Sequence, residues 1–270
     1  METSYELSTE PTLNSQEYDD ADNPIWQTAV YDAVHGGWRF ANMGGATALD
    51  RIAQLIGPAN GRKTLLELCS GMGDPSAYLA TKYGYTVTGV ELNRFQVQRA
   101  WQVASQRGVM GLVSFIHANV IEWEPSACFD AIYSLDSLVY VPRLAELFRK
   151  CRQALRPAGW LAIVELTAGP AIDDSKREYA RRDGFVNVLS TTEYADLLQH
   201  AGFRQILAED LTPLGQSCFE TIHTSLQENR EGLIQACGER AWSSWNNLSS
   251  VYAEAFRARQ YSYSLIHAQL

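Results

Sequence analysis

The chain has 270 residues, 46% hydrophobic and 20% charged, which is typical of a globular protein with a substantial core. This composition excludes a disordered chain, a collagen-like protein and a coiled coil. A formal net charge of −9 argues against DNA or RNA as a partner, because nucleic acids are bound mainly through Lys and Arg.

The N-terminal segment and the cysteines indicate a cytoplasmic protein. Residues 1–22 are polar and acidic, whereas a signal peptide needs positive charge and an apolar run, so we expect a flexible leader there. No apolar run approaches the length of a membrane span, and we expect no membrane association. The five cysteines are scattered without metal-ligand spacing, which predicts a reduced compartment and no bound metal.

Two helices are expected in residues 23–60, where they would cap the active site. The first begins at Asn23, which is followed by Pro24, and its periodicity ends at a pair of glycines. The second carries Leu49 and Ile56 at helical spacing and ends before a Gly-Pro pair.

Residues 61–166 alternate between strand and helix patterns. Helices are predicted to begin at Asp74, at Asn93 and at Pro142, each between two apolar runs. The strands are predicted at 64–68, 87–90, 113–117, 129–134 and 160–166. Such alternation predicts a parallel sheet.

Residues 167–270 are expected to complete the same domain on the substrate side. Residues 167–190 lack clear periodicity and are a candidate lid, and Ser190 with Glu193 forms a capping-box pattern for the next helix. A strand at 204–207, two long helical stretches within 218–257 and a final strand at 261–267 follow. The predicted fold is therefore α/β, a Rossmann-like seven-stranded, mostly parallel sheet flanked by helices, with N-terminal helices and a C-terminal helical insertion before the last strand.

The segment 65–76, Leu-Leu-Glu-Leu-Cys-Ser-Gly-Met-Gly-Asp-Pro-Ser, predicts a strand, a glycine turn and a helix start. In α/β folds this arrangement binds nucleotide-like ligands. The two glycines, with the acid Glu91 about twenty residues later, are also compatible with a nicotinamide cofactor. Asp74 at the helix start would repel a pyrophosphate, whereas S-adenosylmethionine carries an ammonium and a sulfonium but no phosphate. The turn therefore favours S-adenosylmethionine.

The chain resembles the class I S-adenosylmethionine-dependent methyltransferases, whose first motif runs apolar, apolar, acid, apolar, Gly-x-Gly-x-Gly. Glu67, Gly71 and Gly73 match this motif, and Cys69 stands at its first glycine. The fourth-strand stretch 129–136 matches a further family motif, as does the Leu-Arg-Pro-x-Gly turn after the next helix.

The resemblance implies a position for each end of the cofactor. Glu67 and the glycine turn would lie near the amino-acid end, Glu91 would accept both ribose hydroxyls, and Asn119 would contact the adenine amino group. The predicted cofactor-binding residues are Glu67, Cys69, Gly71, Gly73, Glu91, Leu92, Asn119, Val120 and Leu135.

The acceptor side resembles small-molecule methyltransferases of the phosphoethanolamine, sarcosine/dimethylglycine and tocopherol type in residues 135–142. Many of these enzymes have His where this chain has Tyr140. The candidate catalytic residues are Asp136, Tyr140 and His35, and the candidate substrate-binding residues are Tyr31, Trp38 and His223. For both histidines packing is the competing interpretation, and for Asp136 it is capping of the turn.

We expect a small-molecule acceptor and a monomer or homodimer. The Asp136 carboxylate, with cation–π contacts from Tyr31 and Trp38, favours nitrogen methylation of an amine, while oxygen or carbon methylation stays open. A cyclase or a cofactor sensor on the same fold is a second hypothesis, because folds host unrelated functions. A nicotinamide oxidoreductase is a third, which conflicts with Glu67 and Asp74.

Overall fold

A seven-stranded sheet forms the centre of the fold and confirms the predicted α/β class. The computed structural model describes residues 40, 42–60, 63–125, 128–182 and 184–270. The strands are β1 (Thr64–Leu68), β2 (Thr86–Glu91), β3 (Val113–His117), β4 (Phe129–Leu135), β5 (Leu155–Ala168), β6 (Arg204–Asp210) and β7 (Tyr261–Gln269). They lie in the order β3-β2-β1-β4-β5-β7-β6. Strands β1 to β5 are parallel, and β7 is antiparallel to both of its neighbours, β5 and β6.

The helices cover both faces of this sheet. They are α1 (Gly45–Ile56), α2 (Asp74–Tyr83), α3 (Arg94–Gln106), α4 (Leu144–Ala154), α5 (Asp174–Arg182), α6 (Thr191–His200), α7 (Thr212–Glu228), α8 (Arg230–Cys237) and α9 (Glu239–Arg257). Successive strand residues point to opposite faces, so Leu65 packs in one buried cluster with α1, α2 and α3. Its neighbour Leu66 packs in a second cluster with α4 and α6.

Local signals in the sequence account for several helix boundaries. The Asn93 side chain caps α3 by accepting a hydrogen bond of 3.0 Å from the Gln96 backbone N–H. Ser190 and Glu193 form the predicted capping box at the start of α6. Helix α1 buries Leu49 and Ile56, as its periodicity predicted.

The boundary predicted at Pro142 is wrong by two residues. A short 3-10 helix spans Leu138–Tyr140, and α4 begins only at Leu144. Arg143 has a φ of 56°, outside the helical region, so the chain changes direction after the proline before the helix forms. Helix α4 buries one face, which includes Cys151.

Two expectations for the C-terminal third need correction. The stretch 167–190 contains α5, a strongly polar helix with one buried residue, Ala180, which explains why it showed no apolar periodicity. Three helices, rather than two, precede β7, because the chain breaks at Asn229 and again at Gly238, where φ is 86°. They form the helical insertion expected before the last strand.

The other domain-level expectations stay predictions, and the leader and the helix expected from Asn23 lie outside the described residues. Within the part of the chain that the structure describes, no helix is long and apolar enough to cross a bilayer. Those same residues contain no cluster of His, Cys, Asp and Glu that could hold a metal ion.

Candidate active site

The turn after β1 has the tight backbone geometry that its glycines suggested. Cys69, Gly71 and Gly73 have φ values of 55°, 55° and 82°, all in the left-handed region. A Cβ on Gly73 would lie 2.7 Å from Ala100 Cβ and 2.8 Å from Phe115 Cζ, so only glycine fits there. The turn therefore accepts a side chain at Cys69 and excludes one at Gly73.

Glu91 ends β2 beside this turn, with a side chain that is only 8% exposed. Its Oε2 accepts a hydrogen bond of 2.9 Å from the Gly71 backbone N–H, and its Oε1 accepts one of 2.8 Å from Asn93. Burial raises the pKa of Glu91, and these backbone donors oppose the rise. A carboxylate has about four lone-pair sites, so two remain for ligand hydroxyls.

Glu67 lies beneath the turn, 2% exposed. Its Oε2 accepts hydrogen bonds from the hydroxyls of Ser76 and Tyr133, the latter at 2.9 Å. Burial raises the pKa of Glu67 to about 8, although the two hydroxyls lower it, so the carboxyl is largely protonated at neutral pH. Its observed role is to join β1 to α2 and β4, and its predicted contact with the cofactor stays a prediction.

The remaining predicted cofactor residues flank the carboxyl ends of neighbouring strands. Asn119 follows β3, and its Oδ1 accepts a hydrogen bond of 2.9 Å from the Ile121 backbone N–H. Val120 and Leu135 are buried, and Leu92 is half-buried directly after Glu91. Because β1, β2 and β4 are adjacent and parallel, their ends bring these residues to one edge of the sheet.

Buried polar atoms at this edge suit a polar ligand. Both side-chain polar atoms of Asn42, Nδ2 of Asn93 and Oδ1 of Asp136 are buried and have no hydrogen-bond partner among the described residues. Asn42 precedes α1, while the other two follow β2 and β4. Buried polar groups without partners destabilise a fold, so a ligand with several donors and acceptors fits this position.

Asp136 follows β4 and has a φ of 47°, a conformation that Asp tolerates better than most residues. Its Oδ2 accepts hydrogen bonds from the Met43 backbone N–H at 2.5 Å and from the Tyr263 hydroxyl at 3.1 Å. Burial raises the pKa of Asp136 to about 7, and these two donors oppose the rise. Its carboxyl is thus held at one oxygen and titrates near neutral pH.

Two residues around Asp136 were missed by the sequence reasoning. Glu165 in β5 is fully buried and accepts backbone hydrogen bonds from Leu138 (2.7 Å) and Leu166 (2.9 Å). Burial, and then the nearby Asp136, raise the pKa of Glu165 well above its usual range. An acid within an apolar strand run was the available signal for Glu165. No local sequence pattern marks Tyr263.

Two other acceptor-side candidates lie among the described residues, on different elements. Tyr140 is 39% exposed on the 3-10 helix and packs edge to face on Phe185, with ring centroids 4.9 Å apart. His223 is half-buried between α7 and α9, where its Nδ1 lies 3.3 Å from the Ser249 hydroxyl. Three further candidates lie outside the described residues, namely Tyr31, His35 and Trp38.

Comparisons with known proteins agree with this geometry. The sequence profile of a family described as a methyltransferase domain matches residues 38–208. The 27-O-demethylrifamycin SV methyltransferase of Amycolatopsis mediterranei is 31% identical, over 84% of this chain and 87% of its own. The phosphoethanolamine N-methyltransferase of Plasmodium falciparum is 27% identical, over 80% of each chain.

A solved structure shares the fold over nearly the whole chain. It is the Haemonchus contortus phosphoethanolamine N-methyltransferase 2 in complex with phosphomonomethylethanolamine and S-adenosylhomocysteine, with a TM-score of 0.84 at 18% identity. The match covers 96% of this chain and 60% of that one, so this chain spans less than two thirds of its neighbour's length. At 18% identity, this structural similarity shows that the two chains share the Rossmann-like fold.

Proposed function

Because the chain belongs to the methyltransferase-domain family, we propose that it transfers the methyl group of S-adenosylmethionine to a hydroxyl oxygen of a small natural product. Methyl transfer from S-adenosylmethionine to a small molecule is the activity of the family. The methylated atom, a hydroxyl oxygen, and the class of acceptor, a small natural product, are our proposal.

We assign the cofactor to the edge of the sheet formed by the ends of β1, β2 and β4. Glu91 would accept the ribose hydroxyls through the lone pairs that its two backbone donors leave open. Asn119 and Val120 would flank the adenine, and the turn from Gly71 to Gly73 would face the methionine end. The cofactor supplies an activated methyl group, and its positive charge suits an edge that carries the buried acids Asp74 and Glu91.

The environment of Asp136 carries the proposal for the acceptor. One carboxyl oxygen is fixed by Met43 and Tyr263, while the other is buried and accepts no hydrogen bond from the described residues. A hydroxyl acceptor must lose its proton as it attacks, and a base whose pKa lies near neutral is best suited to take it. With a pKa raised to about 7, Asp136 meets this requirement.

The name of one relative also favours oxygen as the methylated atom. The relative with 31% identity over most of both chains is named for 27-O-demethylrifamycin SV, a substrate with a free oxygen at the methylation position. Asp136 accepts a hydrogen bond from Tyr263 of β7 and lies near Cys218 of α7, whose thiol pKa is raised by burial and then by Asp136.

Nitrogen methylation is the second candidate, favoured by the anionic form of Asp136 and by the Plasmodium relative. A bound ammonium would hold Asp136 ionised, but an amine must be neutral to attack. Asp136 would then position the amine rather than take a proton from an alcohol. Removal of the Asp136 charge should therefore affect the rate of methylation differently for oxygen and for nitrogen acceptors.

The test uses methyl-labelled S-adenosylmethionine with a panel of hydroxylated polyketides, sterols and phosphoethanolamine. Mass spectrometry would follow the label and the release of S-adenosylhomocysteine in the wild type, Asp136→Asn and Asp130→Asn. Asp130 is a matched control, because it lies near the start of β4, away from Asp136, and accepts hydrogen bonds there from Thr64 and Arg156. We expect label in a hydroxylated acceptor, a loss of about 100-fold or more in Asp136→Asn and little change in Asp130→Asn. Label only in an amine, or equal losses in both variants, would contradict the proposal.

A further inference from the structure

We propose that Tyr263 is a positioning residue that holds the Asp136 carboxyl and fastens the segment 42–45 to it. We call this arrangement the Tyr263 bridge; it consists of Tyr263, Asp136 and the backbone N–H groups of Met43 and Gly44. Its use in catalysis rests on the proposed function, whereas its existence can be tested without any acceptor.

The Tyr263 hydroxyl has two partners from distant parts of the chain. It donates a hydrogen bond of 3.1 Å to Asp136 Oδ2 and accepts one of 3.1 Å from the Gly44 backbone N–H. The Met43 N–H donates to the same Asp136 oxygen at 2.5 Å. The end of β4, strand β7 and the segment before α1 thus meet at one carboxyl oxygen.

The packing around the bridge restricts it to one arrangement. Tyr263 is fully buried, so its ring cannot turn toward solvent. A Cβ on Gly44 would lie 3.2 Å from the Tyr263 hydroxyl and 2.4 Å from Ala48 Cβ, so the backbone there approaches the ring as closely as glycine permits. Ala48 and then the Tyr263 ring therefore leave no room for a side chain at Gly44.

The bridge decides which Asp136 oxygen is available. Oδ2 receives two donors, while Oδ1 is buried and has no hydrogen-bond partner among the described residues. Because Oδ2 is fixed by its two donors, Oδ1 is the oxygen that would contact the acceptor. The segment 42–45 also carries the buried Asn42 amide, so the bridge fixes a further polar group at the same edge.

Several groups around Asp136 influence its ionisation. The Glu165 carboxyl faces it from β5, the Tyr263 hydroxyl from β7 and the Cys218 thiol from α7, and the Met43 N–H lies on the segment before α1. Both hydrogen-bond donors stabilise the ionised carboxylate, which lowers the pKa of Asp136 against the effect of burial. Removing the Tyr263 hydroxyl should therefore raise the pKa of Asp136.

The test compares Tyr263→Phe with Tyr261→Phe. Tyr261 is a matched control, because it is fully buried on the same strand and its hydroxyl donates to the Lys176 carbonyl instead. Amide exchange is measured residue by residue by NMR, and the Asp136 carboxyl is titrated in protein labelled with ¹³C at aspartate. We expect Gly44 to exchange about tenfold faster in Tyr263→Phe, the factor that corresponds to about 1.4 kcal/mol, and the pKa of Asp136 to move upward. Neither should change in Tyr261→Phe.

A second variant tests the other half of the bridge. Asp136→Ala removes the acceptor of the Met43 N–H, so Met43 should exchange about tenfold faster while Gly44 keeps Tyr263 as its partner. Unchanged Gly44 exchange and an unchanged Asp136 pKa in Tyr263→Phe would overturn the proposal, as would equal changes in Tyr261→Phe. Neither readout requires an acceptor, so a failure to methylate a hydroxyl would refute the proposed function and leave the bridge intact.

Discussion

Removal of the Glu91 carboxylate should weaken cofactor binding and should also weaken the turn that this side chain supports. The side chain is buried at the end of β2 and accepts backbone hydrogen bonds from Gly71 at 2.9 Å and Asn93 at 2.8 Å. In the proposed complex it also accepts two ribose hydroxyls. Hydrogen bonds to a charged group contribute roughly 1.5–3 kcal/mol each, so the loss of two such contacts weakens binding by at least about 3 kcal/mol. The dissociation constant should then rise on the order of 100-fold.

Calorimetry with S-adenosylmethionine and S-adenosylhomocysteine measures this change. Glu91→Gln keeps the shape and one acceptor oxygen, so its loss should lie between those of the wild type and Glu91→Ala. Glu209→Ala is the control, because Glu209 pairs with Arg51 at the edge strand β6. Denaturation by urea would show whether each variant is folded. An affinity within threefold of the wild type in a folded Glu91→Ala variant would refute the assignment of the cofactor edge.

Three further predictions follow from the same region. The pKa of Glu67 is raised from 4.5 to about 8 in the folded chain, so its contribution to stability is complete below pH 4.5 and is lost as the pH rises toward 8. The free energy of unfolding of Glu67→Gln should therefore fall less than that of the wild type across this range. Equal slopes of unfolding free energy against pH would contradict a protonated Glu67. Gly73→Ala should lose about 1–3 kcal/mol more stability than Gly108→Ala, because both glycines have positive φ but only Gly73 would clash; equal losses would show that the clash is relieved. The backbone N–H groups of Val186 and Asn187 donate to the Val139 carbonyl. If residues 167–190 form a lid, S-adenosylhomocysteine should slow the hydrogen exchange of these two groups. Exchange rates that do not change when this ligand binds would contradict the lid hypothesis.

Features encoded by neighbouring residues could be predicted from the sequence. The Ser190–Glu193 capping box and the glycine turn before Asp74 each depend on residues a few positions apart, and both formed as expected. The order of strands and helices followed from apolar periodicity, which burial imposes directly. The helix α5 escaped this reasoning because nearly all of its residues are polar.

The acceptor side could be predicted only in part, because its contacts join residues that are distant in the chain. Asp136 was identified from its place after β4, but its partner Tyr263 lies 127 positions later. No periodicity distinguishes a tyrosine that bonds a carboxylate from one that only packs. Tyr140 was predicted from its place in the motif, and the structure shows its ring packed on Phe185.

The central claim, methylation of a hydroxyl oxygen, is tested most directly by identifying the acceptor atom to which the labelled methyl group is attached. The purified chain is incubated with S-adenosylmethionine carrying a ¹³C methyl group and the panel of hydroxylated and amine acceptors, and the product is examined by ¹³C NMR. We expect a methyl carbon with the chemical shift of a methoxy group, formed together with an equal amount of S-adenosylhomocysteine. A methyl carbon attached to nitrogen or carbon, or cofactor binding with no transfer to any hydroxylated acceptor, would contradict it.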